Sequence, residues 1–194
     1  MQVHEVILDG SGSIAGSCEG LHGEGHTWAD TVRHRIASLG PIADAGLVAA
    51  GLLDRAVAAV EDRRELFATP QGGRLLHGDF HPRHVYALGG RITAIIDWGD
   101  ATCGDPVYDL GRLLHSAVLE EDLRHGFSVV NRVLDSYGDA AWLPADLTGT
   151  LLVYAAVFTL WSMQGEFSGG APWPPWWPAQ ATALSVIVDE LDRR

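Results

Sequence analysis

The chain has 194 residues, 47% of them hydrophobic, enough for one packed domain and too apolar for wholesale disorder. Its net charge is −12, from 25 acids against 13 bases, and every base is arginine, which excludes the basic patch of a nucleic-acid binder. Two cysteines, Cys18 and Cys103, exclude a disulfide scaffold and fit no zinc spacing. A reducing, cytoplasmic setting is the expectation. The start, Met1 to Glu5, carries neither the basic nor the apolar stretch of a signal peptide.

Residues 1–26 are rich in Gly, Ser and His, with one apolar run, Val6-Ile7-Leu8. They read as a short strand or loop followed by a flexible connection. Thr27, with Asp30 three residues on, caps a helix running to about Leu39, where Gly40-Pro41 stops it. A second helix is expected over 43–66, from Leu47, Val48, Leu52, Ala56, Ala59 and Val60 at helical spacing. Arg74–His77 reads as a strand leading into a polar loop. Val85–Leu88, the turn Gly89-Gly90 and Ile92–Ile96 read as a hairpin. Beyond Pro106 the pattern is helical, over 106–118, 120–137, 145–165 and 179–192. Residues 168–178 form a loop rich in proline and tryptophan. Residues 147–165 carry no formal charge, but hydroxyls and Gln164 interrupt them, and they barely reach the ~20 residues a bilayer requires. A buried core helix is the reading, with no membrane partner.

The chemistry concentrates in residues 75–110. Asp79 lies in a loop after a strand, where a carboxylate can be held rigidly near a substrate. His84 follows five residues on. The hairpin then returns the chain and delivers a second carboxylate, Asp97, at a strand end. One such carboxylate can accept a proton from an attacking hydroxyl. The other can hold Mg²⁺, which prefers carboxylate and phosphate oxygens. That division of labour belongs to phosphoryl transfer.

The run His77-Gly78-Asp79-Phe80-His81-Pro82-Arg83-His84, then Ile96-Asp97-Trp98-Gly99-Asp100 and Gly104-Asp105-Pro106 with Asp109-Leu110, closely resembles a known catalytic core. It is that of the aminoglycoside phosphotransferases and related choline kinase-like small-molecule kinases. The resemblance covers about 36 contiguous residues and implies an α+β fold: the C-lobe of a protein-kinase-like domain, mostly helical, with a small β-hairpin carrying the catalytic and metal loops. On this reading residues 1–26 are an N-terminal strand and loop remnant, and 27–194 are a single C-lobe domain. ATP is the implied phosphate donor, with Mg²⁺, and a small-molecule hydroxyl the acceptor. Asp79 would act as the base, or orient the acceptor hydroxyl. Asp97 would hold the metal, with His84 in the second ligand position. His77 would brace the loop, Asp109 would accept hydrogen bonds from the loop's backbone, and Asp105 would cap the helix opening at Pro106. Asp100 would make a supporting contact or lie at the surface.

Two departures stand out. The family's usual second ligand is Asn, and His84 offers a softer nitrogen that suits Mg²⁺ less well. It could donate to phosphate or bind another metal. Nor does the chain contain the lysine of a nucleotide-covering N-lobe, and arginine's planar fork is not its point-charge equivalent. Gly10 to Gly16 is only a faint glycine-loop mimic. The N-lobe therefore reads as missing. Besides the active phosphotransferase, two readings stay open: a truncated pseudokinase that binds a small molecule or partner, and one half of a split kinase completed by an N-lobe partner chain. The surface where that lobe would sit should then be apolar, and could serve a homodimer.

Trp173, Trp176 and Trp177 could form an aromatic wall for a ring-bearing substrate or simply pack. Cys103 reads as an inert thiol whose pKa Asp100 and Asp105 would raise. Glu120, Glu121 and Asp122 read as a solvated helix start.

Overall fold

A computed structural model describes residues 3–17, 20–25, 27–49, 51–68, 73–138, 140, 142–168 and 177–194. In chain order the strands and helices are β1 (Ile7–Leu8), β2 (Ser11–Ser17), β3 (Gly20–Gly25), α1 (Trp28–Arg35), α2 (Gly40–Asp44), α3 (Leu52–Glu61), β4 (Gly73–Leu76), β5 (Val85–Leu88), β6 (Arg91–Ile95), β7 (Thr102–Gly104), α4 (Val107–Glu120), α5 (Leu123–Leu134), α6 (Leu147–Ser168) and α7 (Trp177–Asp192). Short 3₁₀ turns stand at Val3–Glu5, Arg64–Phe67, Pro82–His84 and Trp98–Asp100. The class is α+β, as expected.

Five strands form one antiparallel sheet in the order β1-β4-β7-β2-β3. Leu75 and Gly12 both pair with Cys103, so β7 is the seam between the chain's start and the strand before the polar loop. The segment expected as a flexible connection is therefore the β2–β3 hairpin, with Ser17 opposite Gly20. Its glycines are built into the pairing: a Cβ on Gly23 would stand 2.4 Å from the Ser11 nitrogen. The first helix ends at Arg35, short of Leu39, and Gly40-Pro41 opens α2 instead of stopping a helix. Of the span expected over 43–66 only α3 is a long helix, because Gly46 (φ +64°) and Gly51 (φ +75°) take left-handed conformations between α2 and α3. The hairpin β5–β6 forms as expected, a separate two-stranded sheet turned by Gly89 and Gly90.

The core is built around α6. Its apolar residues leave no polar stripe, so the helix must be covered on all sides. It is long and apolar enough to cross a membrane, but 72% of its apolar stretch is buried inside the fold. Leu152, Tyr154, Val157 and Leu160 are fully enclosed. Helix α4 lies close against it because Gly111 has no side chain; a Cβ there would stand 2.5 Å from the Tyr154 Cβ. On the other side Trp28 covers Gly104, donates from Nε1 to the Tyr154 hydroxyl at 2.9 Å, and Tyr154 donates to Asp105 Oδ2 at 2.8 Å. This buried chain ties α1, α6 and the turn before α4 together.

Candidate active site

The loop from His77 to His84 leaves β4 and is fastened from below. Asp109, in the first turn of α4, is 2% exposed. Its Oδ2 accepts the His77 backbone N–H at 2.7 Å and its Oδ1 accepts that of Gly78 at 2.9 Å. Oδ2 also receives His4 Nε2–H at 3.0 Å, and Tyr137 donates its hydroxyl to His4 Nδ1 at 2.9 Å. A buried carboxylate with every oxygen partnered is a rigid peg for the loop. Gly78 is required where it stands: φ is +82° and a Cβ would fall 1.8 Å from the Asp100 carbonyl oxygen. The loop and the Trp98–Asp100 turn thus lie backbone against backbone.

His77 reaches across this contact, donating from Nε2 to the Ile96 carbonyl at 2.8 Å, with its ring 4.8 Å from that of Trp98. Asp97 follows Ile96 with φ +66°, the single non-glycine residue in the left-handed region among the described residues. Aspartate tolerates that conformation better than most residues, and such strain concentrates at functional sites. It turns the carboxylate toward the loop: Oδ2 lies 3.5 Å from His84 Nε2. His84 Nδ1 in turn donates to the Asp79 carbonyl oxygen at 3.0 Å.

Asp79 itself is held by Arg112, whose Nε donates to Oδ1 at 2.6 Å. Arg112 also bonds the Ser116 hydroxyl and stacks its guanidinium 4.3 Å from the Phe158 ring centroid. Asp79 Oδ2 lies 4.0 Å from His84 Nδ1. A cavity of about 690 Å³ opens beside Asp79, walled by α4, α6 and α7 through Ser116, Glu120, Phe158, Trp161 and Gln180. A second, of about 770 Å³, adjoins it across Asp100 and Trp161 and is bounded by Gly12 to Ile14 of β2. In the first cavity's wall, His115 donates to Gln180 Oε1 at 2.8 Å, and burial, seconded by Arg112, pushes its pKa down to about 3. Burial and then Arg112 also hold the His81 imidazole below its ordinary pKa.

Asp79, His84 and Asp97 thus stand together, with His77 and Asp109 beneath them. Asp105 accepts the Val107 N–H at 2.9 Å at the start of α4, and burial raises its carboxyl above the usual range. Asp100 is exposed and lines both cavities. Trp177 departs from the wall reading: it is 3% exposed, packed in the core at the start of α7. Trp173 and Trp176 lie outside the described residues. Cys103 is buried, and burial ahead of Asp9, rather than Asp100 and Asp105, raises its thiol pKa. Of the three acids after α4's apolar stretch, Glu120 ends that helix and Asp122 caps α5, accepting the His125 N–H at 2.7 Å.

The phosphotransferase enzyme family model matches residues 16–147, more than half of the chain and all of the loop described above. The chain belongs to this family. Hygromycin-B 4-O-kinase of Escherichia coli is 41% identical over 44 residues, 23% of this chain and 13% of that protein. Solved structures that share the fold include two of thermostable mutants of the aminoglycoside phosphotransferase APH(4)-Ia. The apo form has a TM-score of 0.64 at 21% identity, with 96% of this chain covering 58% of that one. The ternary complex with ADP and hygromycin B also scores 0.64, at 20% identity, covering 96% of this chain and 57% of that one. The chain therefore spans little more than half the length of these relatives, and the kinase-like C-lobe fold is the common ground.

The sequence reading passed over Arg112, His4 and Tyr137. Arg112 carried a signal, since it follows Asp109 by three residues and so shares its helix face. His4 and Tyr137 carried none: the bond from His4 to Asp109 spans 105 residues, and that from Tyr137 to His4 spans 133.

Proposed function

We propose that this protein transfers the γ-phosphoryl group of ATP to the hydroxyl of a small molecule. The observation that carries the reading is Asp79: one oxygen is pinned by Arg112, and the residue lines the 690 Å³ cavity with the His84–Asp97 pair alongside. Phosphoryl transfer asks for positioning and charge stabilisation more than covalent chemistry. The acceptor hydroxyl sits in the cavity and donates its hydrogen bond to Asp79 Oδ2, which orients it for attack and takes its proton. Arg112 fixes the carboxylate's plane. The Asp109 peg fixes the loop.

The donor set fits a nucleotide-bound divalent cation. Asp97 would supply a carboxylate oxygen and His84 a ring nitrogen, with the nucleotide's phosphates as the cation's other source of oxygen. Among the described residues no group of three or more His, Cys, Asp or Glu side chains forms a metal cage. The cation would neutralise charge on the phosphates. With no lysine in the 194 residues, the further positive charge would come from arginine or from chain outside them.

A second reading, a non-catalytic module seated on a nucleotide-covering partner chain, draws on the β5–β6 hairpin. It shows Tyr86, Leu88 and Ile92 to solvent at 55, 78 and 67% exposure, and an uncovered two-stranded sheet is marginally stable. The two readings separate in one assay. ADP release with Mg²⁺ and ATP is measured against polyhydroxylated acceptors, hygromycin B included. Acceptor-dependent release abolished by Asp79→Asn, with unchanged circular dichroism, supports the phosphotransferase. No release from either form, with acceptor binding equal in both, supports the module.

A further inference from the structure

We infer that the cation site of this chain selects Mn²⁺ and the later first-row divalent ions over Mg²⁺, with His84 Nε2 as a metal ligand. The inference rests on the phosphotransferase reading and sharpens it.

His84 Nδ1 faces the Asp79 carbonyl oxygen at 3.0 Å, and a carbonyl only accepts, so Nδ1 carries the hydrogen. In the neutral ring Nε2 is then a bare lone pair. It points at Asp97 Oδ2, also a lone-pair bearer, at 3.5 Å, beyond an ordinary N–H···O bond. In that neutral form two electron-pair donors face each other with no hydrogen between them, an arrangement suited to a cation.

The ring is fixed in that position. His84 donates its backbone N–H to the His81 carbonyl at 2.9 Å, and its own carbonyl accepts the Ile96 N–H, also at 2.9 Å. Its ring stacks on His77 at 5.6 Å and 22°. A histidine that gives one ring N–H to a backbone carbonyl and turns the other nitrogen to a carboxylate-lined opening has the outer-shell support metal-binding histidines use. Imidazole nitrogen adds little affinity for Mg²⁺, which wants oxygen, and considerably more for Mn²⁺, Co²⁺ or Zn²⁺. Asp97, with 65% of its side chain exposed, is the oxygen ligand common to all of them. Donation from Nε2 to a phosphate oxygen would require the imidazolium, with a hydrogen on both nitrogens, whereas a metal takes the neutral ring.

Pulsed electron paramagnetic resonance of Mn²⁺ added to the whole chain, alone and with ADP, tests this. Wild type should show coupling to one ring nitrogen, absent in His84→Asn and retained in His81→Asn, each with an unchanged circular dichroism spectrum. In competition with ADP present, His84→Asn should lower the preference for Mn²⁺ over Mg²⁺ by about tenfold, the low end of losses when metal-site support is removed. Nitrogen coupling missing from wild type, or unchanged in His84→Asn, overturns the proposal. Phosphorus coupling from ADP without nitrogen coupling overturns it while leaving the phosphotransferase reading intact. Nitrogen coupling with no phosphorus coupling upholds the metal site and counts against the nucleotide.

Discussion

Arg112 donates from Nε to Asp79 Oδ1 at 2.6 Å, and its guanidinium lies against the Phe158 ring. The pair joins α4 to the loop after β4, so the carboxylate facing the cavity is held by a helix and not by its own loop alone. Only 11% of the Arg112 side chain is exposed, which keeps the bond from being traded for water.

Replacing Arg112 with Met keeps most of the packing and removes the charged fork. Asp79 then rotates freely, and kcat should fall by about a hundredfold, the lower range for a positioned base. KM should change little, because acceptor contacts elsewhere in the cavity remain. Arg112→Lys should rescue only in part, since an ammonium cannot reproduce the Nε bond and the ring stacking together. Steady-state kinetics on the three proteins decides it; a change confined to KM would assign Arg112 to acceptor binding.

Asp109→Ala strips the partners from two buried backbone N–H groups and from His4. The cost should be about 3 kcal/mol, read as a lower urea midpoint at pH 7.5. His4→Ala removes one of the three bonds and leaves the Tyr137 hydroxyl unpaired, so it should cost less, about 1 kcal/mol. Equal losses would mean that the start of the chain, and not the peg, carries the stability.

Much of this site was legible beforehand. The spacing of Asp79, His84 and Asp97 placed all three, because a tight hairpin returned by Gly89-Gly90 leaves little freedom in where Asp97 arrives. The β2–β3 hairpin was not legible. Gly, Ser and His have weak strand preference, and what makes the segment a strand is its pairing with β7, some ninety residues away. The break between α2 and α3 was visible as Gly46 and Gly51, but the apolar spacing on either side outweighed it. Trp177 looked available because its neighbours are Pro and Trp; it is α7's packing on α6 that encloses it.

His115 makes stability depend on pH. Its folded pKa, about 3, lies below the ordinary 6.5, so the unfolded chain takes up a proton that the folded chain refuses. The stability it contributes is present above pH 6.5 and is lost as pH falls from there toward 3. Linkage puts the loss at about 2 kcal/mol by pH 5. His81 shifts in the same direction. Urea midpoints at pH 8 and pH 5 should therefore differ more for wild type than for His115→Gln. Equal differences would show that His115 stays protonated inside the fold.

On the reading proposed above, Asp79, His84 and Asp97 form a nucleotide and metal site. Isothermal titration of the purified chain with a non-hydrolysable ATP analogue and a divalent cation tests it most directly, with Asp97→Ala as the control. Saturable binding that disappears in Asp97→Ala is the result the account predicts. No heat at millimolar nucleotide with either Mg²⁺ or Mn²⁺, or equal binding by the variant, would contradict it.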